Sequence, residues 1–335
     1  MSDHIINASR SIIYEFDKSY TGSIVVSNTS YKSIYYRACF SGKLTSLDLS
    51  KSSIESIGGE ASVKFPDSLI LLDWNAFAVT GLSSIHLGPN LRYFSGYAFN
   101  QCSNLNTFSV DENNNYFSVV NNFVLSKNMS KIIRSPINFE VDDIPNKENI
   151  ITIGDFAFSG ATFEKFVGWK NLKNIDGAIF HGTKSLEIVD LSLTKIEHLK
   201  DSNFCSCPNL IMINLPSFLK EIQYRALYQV PKLVSISIPS SVTVLNNSCF
   251  NEMKSLKVVC YYGNVSFSGR SLFYNCPSMK YIRVCSLYPS NKFSSFDVSY
   301  DAYQLGETIL TCPSIKNIPC SSIFHFMSYS VFILL

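Results

Sequence analysis

A residue that returns about every 23 positions restricts what this chain can fold into more than any other feature. Phe158, Phe180, Phe204, Leu227, Phe250 and Phe273 form a near-regular series in which no two steps differ by more than a pair of positions. A fixed short period of this kind is the mark of a solenoid, in which each unit stacks on the next. The ruler inside each unit is also constant. Five residues before this marker stands an apolar residue (Leu72, Phe94, Ile153, Ile175, Leu199, Ile222, Leu245), and six after it a Leu or Met (Leu105, Leu186, Leu210, Leu233, Leu256, Met279). From there the apolar positions run i, i+3, i+5, as in Leu186/Val189/Leu191, Leu210/Ile213/Leu215, Leu233/Ile236/Ile238, Leu256/Val259/Tyr261 and Met279/Ile282/Val284. The last two alternate with polar residues, the period of a half-buried strand, and the runs are too short for a free-standing helix. One short strand per repeat is expected, covered by its neighbours because a single unit cannot bury its apolar row.

Earlier in the chain the pattern is the same but damaged. Leu44, Leu47, Leu49, Ile54 and Ile57 repeat the spacing of Leu186, Val189, Leu191, Ile196 and Leu199. Ser62 stands where a marker is due after Phe40, and Phe77 follows it well short of a full period, so this unit has lost a piece. The interval from Phe99 to Phe158 is longer than two periods and includes Asn113–Pro136 (NNNYFSVVNNFVLSKNMSKIIRSP). Asn121-Asn122 between two apolar runs can take the positive φ values of a tight hairpin turn, and Lys127-Asn128 marks a second turn. A small β-meander is expected there, either projecting from the solenoid or replacing part of a repeat, followed by a loop through Val141–Glu148.

The expected organisation is a cap over residues 1–33, a solenoid over 34–288 with the insertion at about 111–150, and a C-terminal segment over 289–335. No basic region followed by an apolar run opens the chain, so an ordinary cleavable signal peptide is not expected. Asn317–Leu335 contains no Lys, Arg, Asp or Glu. It reads either as a short membrane tail or as a strand-like cap, and any membrane contact would come through this segment alone.

The pattern Ile-x-x-x-Ala-Phe-x-x-Cys-x-x-Leu-x-x-Ile-x-Ile-Pro-x-Ser-Val resembles the BspA-type leucine-rich repeat of bacterial and protist surface proteins. It stands here as FSGYAFNQCSNLNTFSV (Phe94–Val110), LKDSNFCSCPNLIMINLP (Leu199–Pro216) and LVSISIPSSV (Leu233–Val242). The hairpin Asn115–Pro136 is similar to the insert common between such repeats. The likeness spans Tyr35–Val284 and implies a leucine-rich-repeat solenoid with short parallel β-strands, irregular or helical-turn returns and one inserted hairpin. Ser62, Leu227 and Gly168, the last where a strand aliphatic is due, depart from it. The resemblance implies a cell-surface adhesin or antigen that binds a host or self surface protein. The alternative is an intracellular scaffold or regulatory binder, which the missing signal peptide favours.

Composition narrows the partners. With 28 basic and 26 acidic residues in 335, a net charge of +2 and no Lys/Arg run, nucleic-acid binding is disfavoured. Of ten cysteines, Cys102, Cys207 and Cys276 each lie three residues after a marker and read as small buried hydrophobes rather than a disulfide framework. Cys205-Ser-Cys207 has no second pair at zinc spacing. The five histidines form no metal-binding pair, no nucleophile or nucleotide motif is present, and Asp142-Asp143 reads as a solvated loop. Five Asn-x-Ser triplets, at Asn7, Asn28, Asn128, Asn246 and Asn264, are the number chance supplies in an Asn- and Ser-rich chain. No catalytic residue, cofactor or metal is expected. What the array offers is the column of residues between the apolar positions. It is small and polar early on (Thr45, Ser46, Asp48; Ser83, Ser84, His86; Asn106, Thr107, Ser109). Later it is acidic, then apolar, then basic: Glu187, Ile188, Asp190; Ile211, Met212, Asn214; Val234, Ser235, Ser237; Lys257, Val258, Cys260; Lys280, Tyr281, Arg283. An apolar strip rimmed by charge is a candidate protein-binding face.

Overall fold

In the computed structural model, the offset between paired strands equals the sequence period. Lys165 pairs with Ile188, Ile188 with Met212, Ser235 with Val258 and Val258 with Tyr281, each in parallel and each one repeat further along the chain. The structure describes residues 84–99, 102–268 and 270–299, together with 67, 69–72 and the strands before residue 65 named below. The sequence features at Phe40, Ser62, Phe77 and Asn317–Leu335 lie outside these residues. The chain divides into two compact units, Met1–Phe163 with Ile179–Thr183 and Glu164–Ala178 with Lys184–Leu335.

The first unit opens on the antiparallel pair Ile5–Ala8 and Ile12–Phe16. Ile12–Phe16 leads a parallel ladder through Ser33–Ile34, Ser56–Ile57, Leu71–Leu72 and Tyr93–Phe94. A second ladder runs through Ser23–Val25, Ser46–Asp48 and Val63–Lys64. The shortened unit is visible in the register, because Leu47 meets Val63 and Ile57 meets Leu72, both well short of a full repeat away. Ser84–Leu87 and Thr107–Val110 form a further parallel pair. The insertion is a meander of Phe117–Val120, Phe123–Ser126 and Lys131–Arg134, turned at Asn121 (φ 49°) and Asn122 (φ 62°). Its third strand pairs in parallel with Thr152–Ile153, so the insertion feeds back into the stack and does not merely project.

In the second unit Lys165–Val167, Ile188–Asp190 and Met212–Asn214 form one ladder. Ser235–Ile238, Val258–Tyr261, Tyr281–Val284 and Phe296–Ser299 form the next, ending on the antiparallel strand Lys292–Phe293. A third joins His198–Leu199, Glu221–Ile222 and Val244–Leu245. The expectation of one strand per repeat is therefore corrected to two. The apolar residue five before the marker sits in a two-residue strand of its own, because its flanks let the backbone pair with the same position one turn away.

The i, i+3, i+5 residues and the markers form the core. Leu186, Val189, Leu191, Leu210, Leu233, Leu256, Val259, Phe204, Leu227 and Phe250 are all fully buried. No helical return holds the marker among the described residues of this unit. The backbone enters the left-handed region two residues before and two after it, at Ser202 and Ser206, Arg225 and Gln229, and Ser248 and Glu252. Such φ values are unfavourable for residues with a Cβ. They are held by turn-to-turn hydrogen bonds from the marker amides, Phe204 to Ala226, Leu227 to Cys249 and Phe250 to Leu272 (2.8, 2.9 and 3.2 Å).

Gly168, the odd residue in the strand column, is explained by its neighbour one turn on. Thr194 is buried, donates to the Leu191 carbonyl at 2.7 Å, and fills the space an aliphatic would take. A Cβ on residue 168 would lie 2.4 Å from Thr194 Cγ2. Gly168→Ala is therefore expected to cost about 1–3 kcal/mol by overpacking, and adding Thr194→Ala to recover most of it. Urea midpoints of the single and double variants check this.

Candidate protein-binding face

The column picked out from the sequence lies on the strand ladders of the second unit. The parallel register aligns its members: Ile188 opposite Met212, Asp190 opposite Asn214, Val258 opposite Tyr281 and Cys260 opposite Arg283. Just before each strand, Ile211 N donates to Glu187 O (2.9 Å), Lys257 N to Val234 O (2.8 Å) and Lys280 N to Lys257 O (2.9 Å). These residues thus mount a second column beside the first. The two groups sit on separate ladders, since Met212–Asn214 ends one and Ser235–Ile238 begins the next.

Exposure varies along the face. Glu187, Lys257 and Lys280 are exposed, and Ile211 is an exposed aliphatic at 49%. Ile188, Asp190, Met212, Val234, Val258 and Arg283 are half-buried. Cys260 is disulfide-bonded, whereas Cys102, Cys205, Cys207, Cys249, Cys276 and Cys285 are free and buried. Burial pushes the Cys249 thiol strongly up, as expected of a thiol packed as a hydrophobe.

Electrostatics separate this face from the shorter ladder of the same unit. There Lys220 bonds Glu197 (2.8 Å), His198 bonds Glu221 (3.0 Å), and Gln223 and Asn246 also reach the Glu221 carboxylate. Hydrogen bonds from Gln223 and His198 hold the Glu221 carboxyl below its usual range, and Lys220 does the same for Glu197. That side satisfies its own charges. On the candidate face Glu187, Lys257 and Lys280 make no ion pair among the described residues, so their charge is free to meet a partner.

Sequence reasoning missed other exposed features of this unit. Arg225 lies 4.9 Å from the ring centroids of both Tyr224 and Tyr228, and Leu193, Phe218, Tyr274 and Leu287 are exposed. These sit in turns, where no period marks them. Among the described residues no group of three or more His, Cys, Asp or Glu could hold a metal, and no helix is long and apolar enough to cross a membrane.

Short parallel strands stacked at the repeat period, with their outward columns open, define a β-solenoid of the leucine-rich-repeat class. The family model for the BspA type leucine rich repeat region (6 copies) matches residues 32–147, 135–257, 180–299 and 235–333, and the chain belongs to that family. A leucine rich cell surface protein of Faecalibacterium prausnitzii is similar in structure, with a TM-score of 0.54 at 19% identity over 76% of this chain and 83% of that one. The pneumococcal vaccine antigen PcpA aligns with a TM-score of 0.49 at 17% identity over 86% of this chain and 75% of that one. The first of these supports the fold. No curated protein matches the sequence.

Proposed function

We propose that this chain is a non-enzymatic protein-recognition module, displayed at the cell surface as an adhesin- or antigen-like binder. Its partner meets the outward columns of the second unit. The observation that carries this reading is an exposed Ile211 beside half-buried Ile188 and Met212, set between acidic Glu187 and basic Lys257 and Lys280. An apolar centre with a charged rim is the anatomy of a protein interface. Surface display is supported by the family.

The test uses labelled, purified chain on intact cells, before and after the cells are treated with trypsin. Trypsin treatment should abolish binding, and Ile211→Glu with Met212→Glu should weaken it about tenfold or more with an unchanged melting temperature. Binding that survives trypsin, or a double variant that binds like the wild type, would reject a protein partner on this face. Protease shaving of intact producing cells, with an epitope placed in the Asn121-Asn122 turn, tests display. Retention of the epitope until lysis would leave an intracellular binder.

A further inference from the structure

We propose a second binding site, for a neutral saccharide, in the first unit. A cavity of about 490 Å³ opens where the inserted meander meets the strand Thr107–Val110. Its wall comes from four pieces of chain: Asn106 and Thr107, the hairpin turn at Asn121 and Asn122, the segment Pro136 to Phe139, and Asp143. The volume is that of an ordinary small-ligand pocket, enough for one or two sugar rings.

Four of its polar side chains are held through one half and open through the other. Asn122 Oδ1 accepts from Phe108 N (3.4 Å), leaving its amide NH2 unclaimed. Asn138 Oδ1 accepts from Thr162 Oγ1 (3.0 Å), again leaving the NH2. Asn121 Nδ2 donates to Asp143 O (3.3 Å), which leaves Oδ1 as an acceptor. Asp143 Oδ2 accepts from Glu140 N (2.8 Å), leaving its second oxygen. Asn106 is a strut, with Oδ1 holding Asn138 N at 2.8 Å and Nδ2 on Asn104 O at 3.3 Å. Side chains carrying two unclaimed amide donors and two unclaimed acceptor oxygens, together with Thr107, thus line one space. A sugar hydroxyl donates and accepts at once, so neighbouring hydroxyls are matched by such an interleaved set. Pro136 and Phe139 also line the cavity and are both buried, the Phe139 ring being fixed by Phe123, Phe158 and Phe163 at centroid distances of 5.0, 5.4 and 4.9 Å.

Other ligand classes fit less well. No Lys, Arg or His lines the cavity, and Asp143 repels anions, so phosphate, sulfate and sialic acid are disfavoured. Calcium needs six to eight oxygens, and the unclaimed ones are those of Asn121, Asp143 and Thr107. A peptide added as a strand would need the Phe108 amide, which Asn122 already occupies.

The experiment is a printed array of neutral, sialylated and sulfated mono- and oligosaccharides probed with the full chain, followed by calorimetry on the bound sugars. Neutral saccharides should bind. Asn138→Ala and Asn122→Gly should each weaken binding about tenfold. Glycine keeps the positive φ of the turn while removing the amide. Should it nevertheless lower the unfolding midpoint, the exposed Asn138 decides. Binding of no neutral saccharide, preference for the sialylated or sulfated ones, or unchanged affinity in Asn138→Ala would overturn the proposal. Ile211→Glu with Met212→Glu should leave saccharide binding unchanged, which separates this site from the protein-binding face.

Discussion

Replacing Arg134 by alanine is expected to lower the unfolding free energy by about 3–5 kcal/mol, among the largest effects of any single change in the described residues. Arg134 is completely buried at the end of the meander's third strand. Its Nη1 donates to Phe156 O (2.7 Å) and its Nη2 to Ser159 O (3.1 Å), two carbonyls of the turn around the marker Phe158. That turn takes the left-handed conformation at Phe156 (φ 53°) and Gly160 (φ 75°). Phe156 O also accepts from Ser159 N at 3.0 Å, so Ser159 O is the carbonyl that depends more on the guanidinium. Nε has no partner among the described residues, so the side chain is tolerated for what its other two nitrogens hold.

Two effects oppose one another at Arg134. Burial lowers its pKa to about 10, well below the ordinary guanidinium value, so the charge is disfavoured in the folded state yet persists at neutral pH. Removing the charge would help if its partners left with it, but the two carbonyls belong to the backbone and stay. Arg134→Met, which keeps the volume, should therefore still cost about 1–3 kcal/mol, less than alanine because no cavity is added. The sign with pH follows from the lowered value. From about pH 10 up to the ordinary guanidinium range the unfolded chain holds this proton more tightly than the folded one, so the Arg134 contribution to stability rises with pH. The difference in urea midpoint between wild type and Arg134→Met should widen across that window. A difference flat with pH, or a methionine variant as stable as wild type, would mean that the carbonyls do not depend on the guanidinium.

The part of this fold that was legible in the sequence is the part that repeats. Marker, triplet and the Asn121-Asn122 turn declare themselves because burial imposes one residue class at a fixed spacing, and strand register then follows from the period. The left-handed turns flanking the markers were not legible. Most fall on residues such as Ser202, Ser206, Arg225, Gln229, Ser248 and Glu252, and among the described residues flanking the markers Gly160, Gly182 and Asn275 carry the residue types that announce such a conformation. Partnerships one turn apart were equally hidden: Thr194 filling the space beside Gly168, or buried Asn114 holding Gly88 and Leu91 carbonyls while accepting from Tyr116 and Phe117. Of the candidate face, the columns and their charge order could be read off. Its depth could not, because exposure depends on how closely neighbouring turns approach, and that leaves Ile211 standing out while Val234 and Val258 sink. That asparagines of separate segments form one cavity gave no signal, since Asn is common throughout the chain and four segments meet there only in the fold.

The marker column carries the other large effect, and Phe250 is the place to measure it. Phe250 is fully buried and stacks on Phe273 one turn away, with centroids 5.3 Å apart and planes inclined by 11°. Its carbonyl also accepts from Cys276 Sγ at 3.0 Å. Phe250→Ala should lose about 3–5 kcal/mol, from the transferred ring and the cavity it leaves. Leu227 shows that the same position one turn earlier closes around an aliphatic, being fully buried with its amide bonded to Cys249 O. Phe250→Leu should accordingly cost only about 1 kcal/mol, close to a volume-conserving change. Ring contact adds a term beyond burial, so Phe250→Ala and Phe273→Ala together should lose less than the two singles added, by about 0.5–1.5 kcal/mol. Strict additivity in urea unfolding would mean that the stack contributes no more than its buried area, and that turns of the solenoid are coupled by their backbone ladders rather than by their rings.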